Sequence, residues 1–390
     1  MERQRNLHNC DRESGMMTCQ RRRRPIPLGV VLLALLGLVV LYALPARLPS
    51  GSNAAALQPP AGVAETVRIF FTTPTLHYPD IPARRTIPPL LEAVLADIAR
   101  SRATIDVAAF DLDLEPLVDA LLAARRRGVM VRVVIDGENL DTPAVSMLSG
   151  QLQDWRIPLV VDKRAAFMHN KFLVIDEKIV WTGSWNLTEN CTFRNNNNAI
   201  RFANRQIAGA YQREFEQMLT GAFGTAKRSG LPRPATYAGQ AMVEVYFTPG
   251  EQALPSILEQ VRQARRSIVF MAFSFTSTPI AEALVEAARR GVHIEGVMEQ
   301  QNTRGTGSVF EQLHAEGVDI VADGNCYIMH HKVMIIDERI VISGSYNFTS
   351  SAERDNDENL TIIHDRTIAR LFAAEYQRIR QQAREPSRCN

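Results

Sequence analysis

From residue 65 onward the apolar positions of this chain fall into short runs and spaced pairs that alternate, and the same succession occurs twice. Val67 to Phe71 and Val243 to Phe247 predict strands, each followed by a Thr-Pro stop. Apolar residues then recur at the spacing of an amphipathic helix: Ile87, Leu90, Leu91, Val94, Leu95 and Ile98 in one half, and Leu254, Ile257, Leu258 and Val261 in the other. Ile105 to Phe110 and Ile268 to Phe273 predict the next strands. Helices ending in Arg125-Arg126-Arg127-Gly128 and Arg289-Arg290-Gly291 follow, with each Gly where a helix end needs a left-handed residue. Lys171 to Asp176 and Lys332 to Asp337 enclose continuous apolar runs, the pattern of a central strand covered on both faces. Glu177-Lys178 and Glu338-Arg339 predict tight turns into second strands at Ile179 to Trp181 and Ile340 to Ile342. Strand alternating with helix implies crossover units and an α/β fold with a mainly parallel sheet, made mixed by that hairpin.

The pattern divides the chain. Residues 65–222 and 241–384 form the two copies, and a stretch from 222 to 240 rich in Gly, Pro and charge links them. Residues 1–27 hold Arg21 to Arg24 and are expected to be a cytoplasmic basic terminus. Residues 28–45 are almost uninterruptedly apolar, and at 1.5 Å per residue the run reaches about 25 Å, the short end for one transmembrane helix. An uncleaved signal anchor is the expectation, although the small residues around Ala43 to Ala46 and Ala54 to Ala56 leave cleavage open. Residues 46–64 read as a linker. Basic residues precede the apolar run, so the positive-inside rule places the body outside the cytosol, periplasmic or extracellular.

Charge and cysteine content sharpen this. The formal net charge is +2, but residues 1 to 50 carry eight Arg against three acids, which leaves the remainder at −3. Such a body lacks the bulk basic footprint of a protein that binds nucleic acid through many phosphates. Of five cysteines, Cys191 and Cys326 lie within a few residues of the motifs below; two free thiols are expected, with a bond between them as the alternative.

The chemistry lies in a repeated signature. His169-Asn170-Lys171 running to Asp176 recurs as His330-His331-Lys332 running to Asp337, and Gly183-Ser184-Trp185-Asn186 recurs as Gly344-Ser345-Tyr346-Asn347, all offset by 161 residues. On a strand, residues i and i+2 share a face, so each His projects with its Lys. Asn186 and Asn347 can return to the same sheet end after the hairpin. Two Lys and two Asn converging from both copies would stabilise a phosphoryl group that spreads charge over its oxygens. In-line displacement at phosphorus needs a nucleophile on one side and an acid on the other, and two pseudo-symmetric His can provide both through a phosphohistidine intermediate. No cofactor is expected, and a Lys beside His and Asp makes a poor metal site. Asp176 and Asp337 close their strands and are expected to be structural or supporting, as are Ser184 and Ser345. His331 points to the other strand face and reads as a core residue. Trp185 and Tyr346 either line the substrate site or pack the hairpin, and the copy-one stretch Leu76 to Pro82, absent from copy two, is a specificity loop or a surface insertion.

Two copies of H-x-K-x-x-x-x-D followed by G-S-x-N resemble the phospholipase D superfamily over roughly residues 65 to 380. The resemblance implies two tandem α/β sandwich domains, related by a pseudo-twofold, with the active site at their interface in a monomer. It also implies an acidic residue twenty-eight positions after the His, held against its other ring nitrogen. Glu358 fits in copy two, whereas copy one has Asn197 in the run Asn195 to Asn198. A carboxylate stabilises imidazolium better than an amide does, so His330 is the expected nucleophile and His169 the acid, although two-copy members suggest the N-terminal His. The catalytic set is then His169, Lys171, Asn186, His330, Lys332, Asn347 and Glu358, with Asn197 in a supporting place. The expected function is hydrolysis of phospholipid head-group phosphodiesters next to a membrane. The alternatives are a metal-independent endonuclease acting on nucleic acid, a cardiolipin-synthase-like phosphatidyl transferase, and a catalytically idle binding module.

Overall fold

Two mixed sheets, one per copy, face each other through a shared apolar core in the computed structural model, which describes residues 66–228 and 235–387. The first is built from β1 (Val67–Phe71), β2 (Thr104–Ala109), β3 (Met130–Asp136), β4 (Leu159–Asp162), β5 (Lys171–Ile175), β6 (Ile179–Gly183) and β7 (Asn198–Ala203), in the order β1-β7-β6-β5-β2-β3-β4. The second contains β8 (Thr236–Ala238), β9 (Ala241–Thr248), β10 (Ser267–Ala272), β11 (His293–Met298), β12 (Asp319–Ala322), β13 (Lys332–Ile336), β14 (Ile340–Gly344) and β15 (Glu358–His364). Its order is β12-β11-β10-β13-β14-β15-β9-β8, the same topology with one extra edge strand.

Helices α1 (Pro89–Arg100), α2 (Glu115–Arg126) and α3 (Pro143–Asp154) and the short α4 (Glu189–Phe193) belong to the first copy, which ends in α5 (Arg205–Leu219). The second repeats the set as α6 (Ala253–Gln263), α7 (Thr278–Arg289), α8 (Phe310–Ala315), α9 (Ser350–Arg354) and α10 (Arg366–Arg384). Helices α5 and α10 lie between the sheets. Tyr211 of α5 meets Phe172 of β5 and Phe247 of β9 edge-on, with ring centroids 5.0 Å apart in both pairs, and so ties the two copies together. The outer helices cover the opposite sheet faces around two further apolar cores. Burial on both faces is the reason the strands bearing the repeated motif are apolar throughout.

The expectation of a mainly parallel sheet is corrected. Only β2-β3-β4 and β10-β11-β12 are parallel, and the other neighbours in both sheets are antiparallel. Helices α2, α3, α7 and α8 cross between those parallel neighbours, whereas the tight hairpins β5-β6 and β13-β14 permit only antiparallel pairing. Ile87 stands outside α1 and is 55% exposed. Part of the inter-copy linker is structured, as β8 pairs with β9 and Lys227 is buried. The call of a transmembrane helix at 28–45 lies outside the described residues; among those described, no helix is long and apolar enough to cross a membrane.

Local chemistry accounts for the hairpin that carries each motif. Asp176 and Glu177, like Asp337 and Glu338, have φ of 51° to 52°, the turn form that matches strand twist. The Asp176 carboxylate accepts backbone N–H groups of Arg102, Ala103 and Thr104, and Asp337 accepts those of Arg265, Arg266 and Ser267. Against the opposing effect of burial, these donors hold both carboxyls below their usual range. That contribution to stability is present above the unfolded value and is lost as pH falls through the lowered folded one. Asp176→Ala is expected to cost about 1–3 kcal/mol by stranding those donors, read as a lower urea midpoint at unchanged slope.

Candidate active site

The active-site geometry starts from the glycine of each G-S-x-N turn. Gly183 (φ +147°) and Gly344 (φ +159°) run against the neighbouring strand so closely that a Cβ would meet the Asn198 carbonyl oxygen at 2.4 Å and that of Asn359 at 2.2 Å. This approach lets Ser184 and Ser345 donate from their backbones to the same two carbonyls, at 3.0 Å each. Their hydroxyls then reach the side chains one residue earlier: Ser184 Oγ donates to Asn197 Oδ1 at 3.0 Å and Ser345 Oγ to Glu358 Oε2 at 2.6 Å.

Those two acceptors cross between the copies. Glu358 Oε2 accepts from His169 Nδ1 at 2.8 Å, and Asn197 Oδ1 accepts from His330 Nδ1 at 3.0 Å. Backbone bonds cross in the same way, from His169 N to Asp357 O and from His330 N to Asn196 O, both 2.9 Å. The expectation that Glu358 supports the His of its own copy is therefore corrected. The strand start holding each His is threaded beside the other copy's segment ahead of β7 or β15, so a residue spaced twenty-eight positions along lands on the opposite ring. Both rings use Nδ1 as donor, which leaves each Nε2 free to act.

A cavity of about 690 Å³ opens over this constellation, lined by His169 and His330 together with Asn186 and Asn347, whose Oδ1 atoms are buried with no hydrogen-bond partner among the described residues. Lys171 and Lys332 are 2% and 1% exposed, and each ammonium donates to the carbonyl of its own His, at 2.7 Å and 3.0 Å. Phe110 and Phe273 were not singled out by the sequence. Each packs edge-on to a His at 4.8 Å and lies under a Lys ammonium, at 4.8 Å and 4.5 Å. Their equivalent places at the ends of two matching strands were the available signal.

Burial governs the electrostatics. It lowers His169 well below the usual imidazole value, helped by Lys171 and Lys332, and lowers His330 likewise, helped by Lys332, Lys171 and His169. Lys171 is brought to about 8 by burial despite Glu358, and Lys332 falls well below the usual ammonium range through burial and the nearby Lys171. Burial raises Glu358 to about 8 against Lys171, Ser345, Asn356 and Lys332. Two buried lysine amines beside two imidazoles that burial shifts toward the neutral form make a receptor for an anion, whose charge favours the protonated amines. Among the described residues, no group of three or more His, Cys, Asp or Glu could hold a metal ion.

Other sequence-predicted positions lie outside this set. Asp176 and Asp337 serve the hairpins, as above. His331 is fully buried between Asn198 Oδ1 at 3.1 Å and Glu375 Oε1 at 3.0 Å. Trp185 and Tyr346 turn away from the cavity and bond to Thr192 of α4 and Glu353 of α9, each at 3.0 Å. Arg127 and Arg290 bind backbone carbonyls at the ends of α1 and α6, away from the cavity wall. The expectation of two free thiols is corrected: Cys191 is free and buried at the cavity wall, while Cys326 is disulfide-bonded.

Comparison with known proteins agrees with this duplication. Residues 94–219 and 257–380 each match the family described as cardiolipin synthase, PLD-like domain. A phospholipase D of Rickettsia prowazekii is 35% identical over 130 residues, which are 33% of this chain and 63% of that protein. A human mitochondrial cardiolipin hydrolase is 35% identical over 133 residues, 34% of this chain and 53% of that protein. The chain thus spans less than two thirds of the length of either relative. The crystal structure of a phosphatidylserine synthase from Haemophilus influenzae superposes with a TM-score of 0.58 at 13% identity, covering 82% of this chain and 86% of that one, a likeness of fold.

The lowered imidazoles set a pH dependence. One His must be neutral and one protonated, and in the free protein both conditions meet below the ordinary imidazole value of about 6.5. A bound phosphate anion favours imidazolium and moves the condition upward. The optimum of kcat is therefore expected at higher pH than that of kcat/KM, a comparison made from steady-state profiles on one soluble phosphodiester; coincident optima would contradict the assigned charges.

Proposed function

The chain belongs to the phospholipase D-like family, and from that premise we propose that it is a phosphodiesterase that hydrolyses phospholipid head-group phosphodiesters. One observation carries the reading: two His from separate copies meet at a single cavity, cross-held by Glu358 and Asn197, each with a buried Lys bonded to its own carbonyl. His169, whose Nδ1 faces the carboxyl, is the nucleophile, because the developing positive charge on its ring is stabilised by Glu358 and not by an amide. His169 Nε2 attacks phosphorus as the bond to the leaving alcohol breaks, and that oxygen takes the proton of His330 Nε2. His330 then removes a proton from water, the hydroxide attacks phosphorus, the phosphorus–nitrogen bond breaks, and the phosphate monoester leaves. Lys171, Lys332, Asn186 and Asn347 hold the equatorial oxygens.

Lipid is favoured over nucleic acid because, beyond the two lysines beneath the scissile phosphate, no Arg or Lys among the described residues lines the cavity wall to meet flanking phosphates. In this reading residues 28–45 hold the body at a membrane surface outside the cytosol, and one chain suffices because both half-sites are in cis.

Three measurements test this. Purified protein in chelator is expected to cleave phosphatidylethanolamine vesicles, with single-stranded DNA uncleaved; cleavage of DNA alone, or loss of all turnover in chelator, would count against the reading. Rapid quench with a labelled phosphodiester is expected to trap phosphohistidine in His330→Ala and none in His169→Ala, and the reverse pattern would return the nucleophile to His330. Glu358→Gln is expected to lower kcat by roughly 10²-fold, within the range for removing a group that stabilises transition-state charge.

A further inference from the structure

The cavity does not share the pseudo-twofold symmetry of the residues beneath it. On the His169 side its wall includes Ala166 and Phe167 from the first copy and Ser351, Asp355 and Asn356 from the second. Their side is continuous, because Phe167 N donates to Asn356 Oδ1 and Met168 bridges Asp357. Displaced by the repeat offset, the counterparts on the His330 side are Tyr327 for Ala166, Asn190 for Ser351 and Arg194 for Asp355, and none of these three reaches the cavity. Beside His330 and Phe273, that side is lined by Ile328, Asn195 and Cys191.

The stretch found only in the first copy covers two of these missing positions. Tyr78 stacks on Tyr327 with ring centroids 6.1 Å apart, and Asp80 N donates to the Tyr327 hydroxyl at 3.1 Å. The Asp80 carboxylate, 2% exposed, pairs with Arg194 at 2.7 Å and with Arg85 at 2.9 Å. Arg194 lies 5.5 Å over the Tyr327 ring, and Arg85 pairs with Glu189 of α4 at 3.0 Å. A guanidinium pair on each side of one carboxylate, plus a ring stack, holds the insertion across the gap between copy-one α4 and copy-two Tyr327. The second copy enters α6 soon after β9 and carries no equivalent, and among the described residues no segment covers Ala166 and Asp355 in the same way.

Resting on the phosphodiesterase reading above, we infer that residues 76–85 close the His330 end of the cleft and so restrict the leaving group to a small alcohol. In-line attack by His169 sends the leaving oxygen toward His330, the closed end. The bulky acyl-bearing part of the substrate occupies the open end by Ala166 and Asp355. A single phosphodiester bearing one small substituent, such as an ethanolamine or choline head group, fits this shape. A phosphodiester with large groups on both sides, such as cardiolipin or the interior of a polynucleotide, does not.

The test compares initial rates of the full chain on vesicles of phosphatidylethanolamine and of cardiolipin, with bis(p-nitrophenyl) phosphate as a soluble reporter and a long single-stranded DNA. The expected result is a preference of about tenfold or more for phosphatidylethanolamine over cardiolipin, and a fall in that ratio toward one in Tyr327→Ala and Asp80→Ala. Retained turnover of phosphatidylethanolamine shows that the variants are folded, and Asp80→Asn takes the place of an alanine variant that does not fold. Equal wild-type rates on both lipids, interior cleavage of DNA, or an unchanged ratio in the folded variants would overturn the closed-end inference while leaving the phosphodiesterase reading intact. Failure on every phosphodiester, the soluble reporter included, would instead overturn the phosphodiesterase reading itself.

Discussion

The crossed hydrogen bonds from His169 to Glu358 and from His330 to Asn197 are the constraint on which the site depends. Each imidazole is oriented by a side chain of the other copy, so neither half can present a correctly oriented ring alone. The same crossing extends outward, with Asn359 Nδ2 donating to Asn170 Oδ1 at 2.8 Å and His331 Nδ1 bonded to Asn198. It also joins buried charge. Asp357, one residue before the supporting carboxyl, pairs with Arg164 of the first copy and with Lys227 of the linker at 2.6 Å, and Lys227 pairs in turn with Glu214 of α5. Breaking a buried pair by removing one partner strands the other charge, so this network opposes separation of the copies.

Duplication supplies two equivalent half-sites, and small departures from symmetry then assign them different work. One is chemical: Glu358 and Asn197 occupy equivalent positions, and only the carboxyl can stabilise a cationic ring. The other is steric: the insertion at residues 76–85 covers one end of a cleft whose opposite end is open. In the proposed mechanism both departures act together, because the attacking His169 stands at the open end and His330, which meets the leaving oxygen, at the closed one. Burial completes the arrangement by favouring the neutral form of both rings and both lysines, a balance that a bound anion shifts back toward charge.

How much of this was legible beforehand depends on how local the cause is. The strand cores Lys171 to Ile175 and Lys332 to Ile336, the left-handed ends at Gly128 and Gly291 (φ +90° and +88°) and the hairpin turns all follow from backbone conformation and pattern within a few residues, and each stands where the sequence pattern placed it. The β5-β6 hairpin was expected, but sheet direction was otherwise misread because period and length reveal a strand and not its neighbour, so the antiparallel pairings of β7 with β6 and with β1 were missed. The Lys and Asn positions were visible as repeats, whereas Phe110 and Phe273 looked like ordinary core residues until their rings met the His and Lys.

By itself the sequence determined the duplication, the residue types of the reaction and the strands that display them, since these depend on spacing along one chain. Only the tertiary structure decided which copy supports which histidine and which end of the cleft is closed. Both rest on contacts between residues more than a hundred positions apart: the separation from His169 to Glu358 is 189, and that from Asp80 to Arg194 is 114. A fixed spacing of twenty-eight residues pointed Glu358 at its own copy's ring. Strand pairing across the interface pointed it at the other, because hydrogen bonds answer to distance in space and the sequence records only distance along the chain.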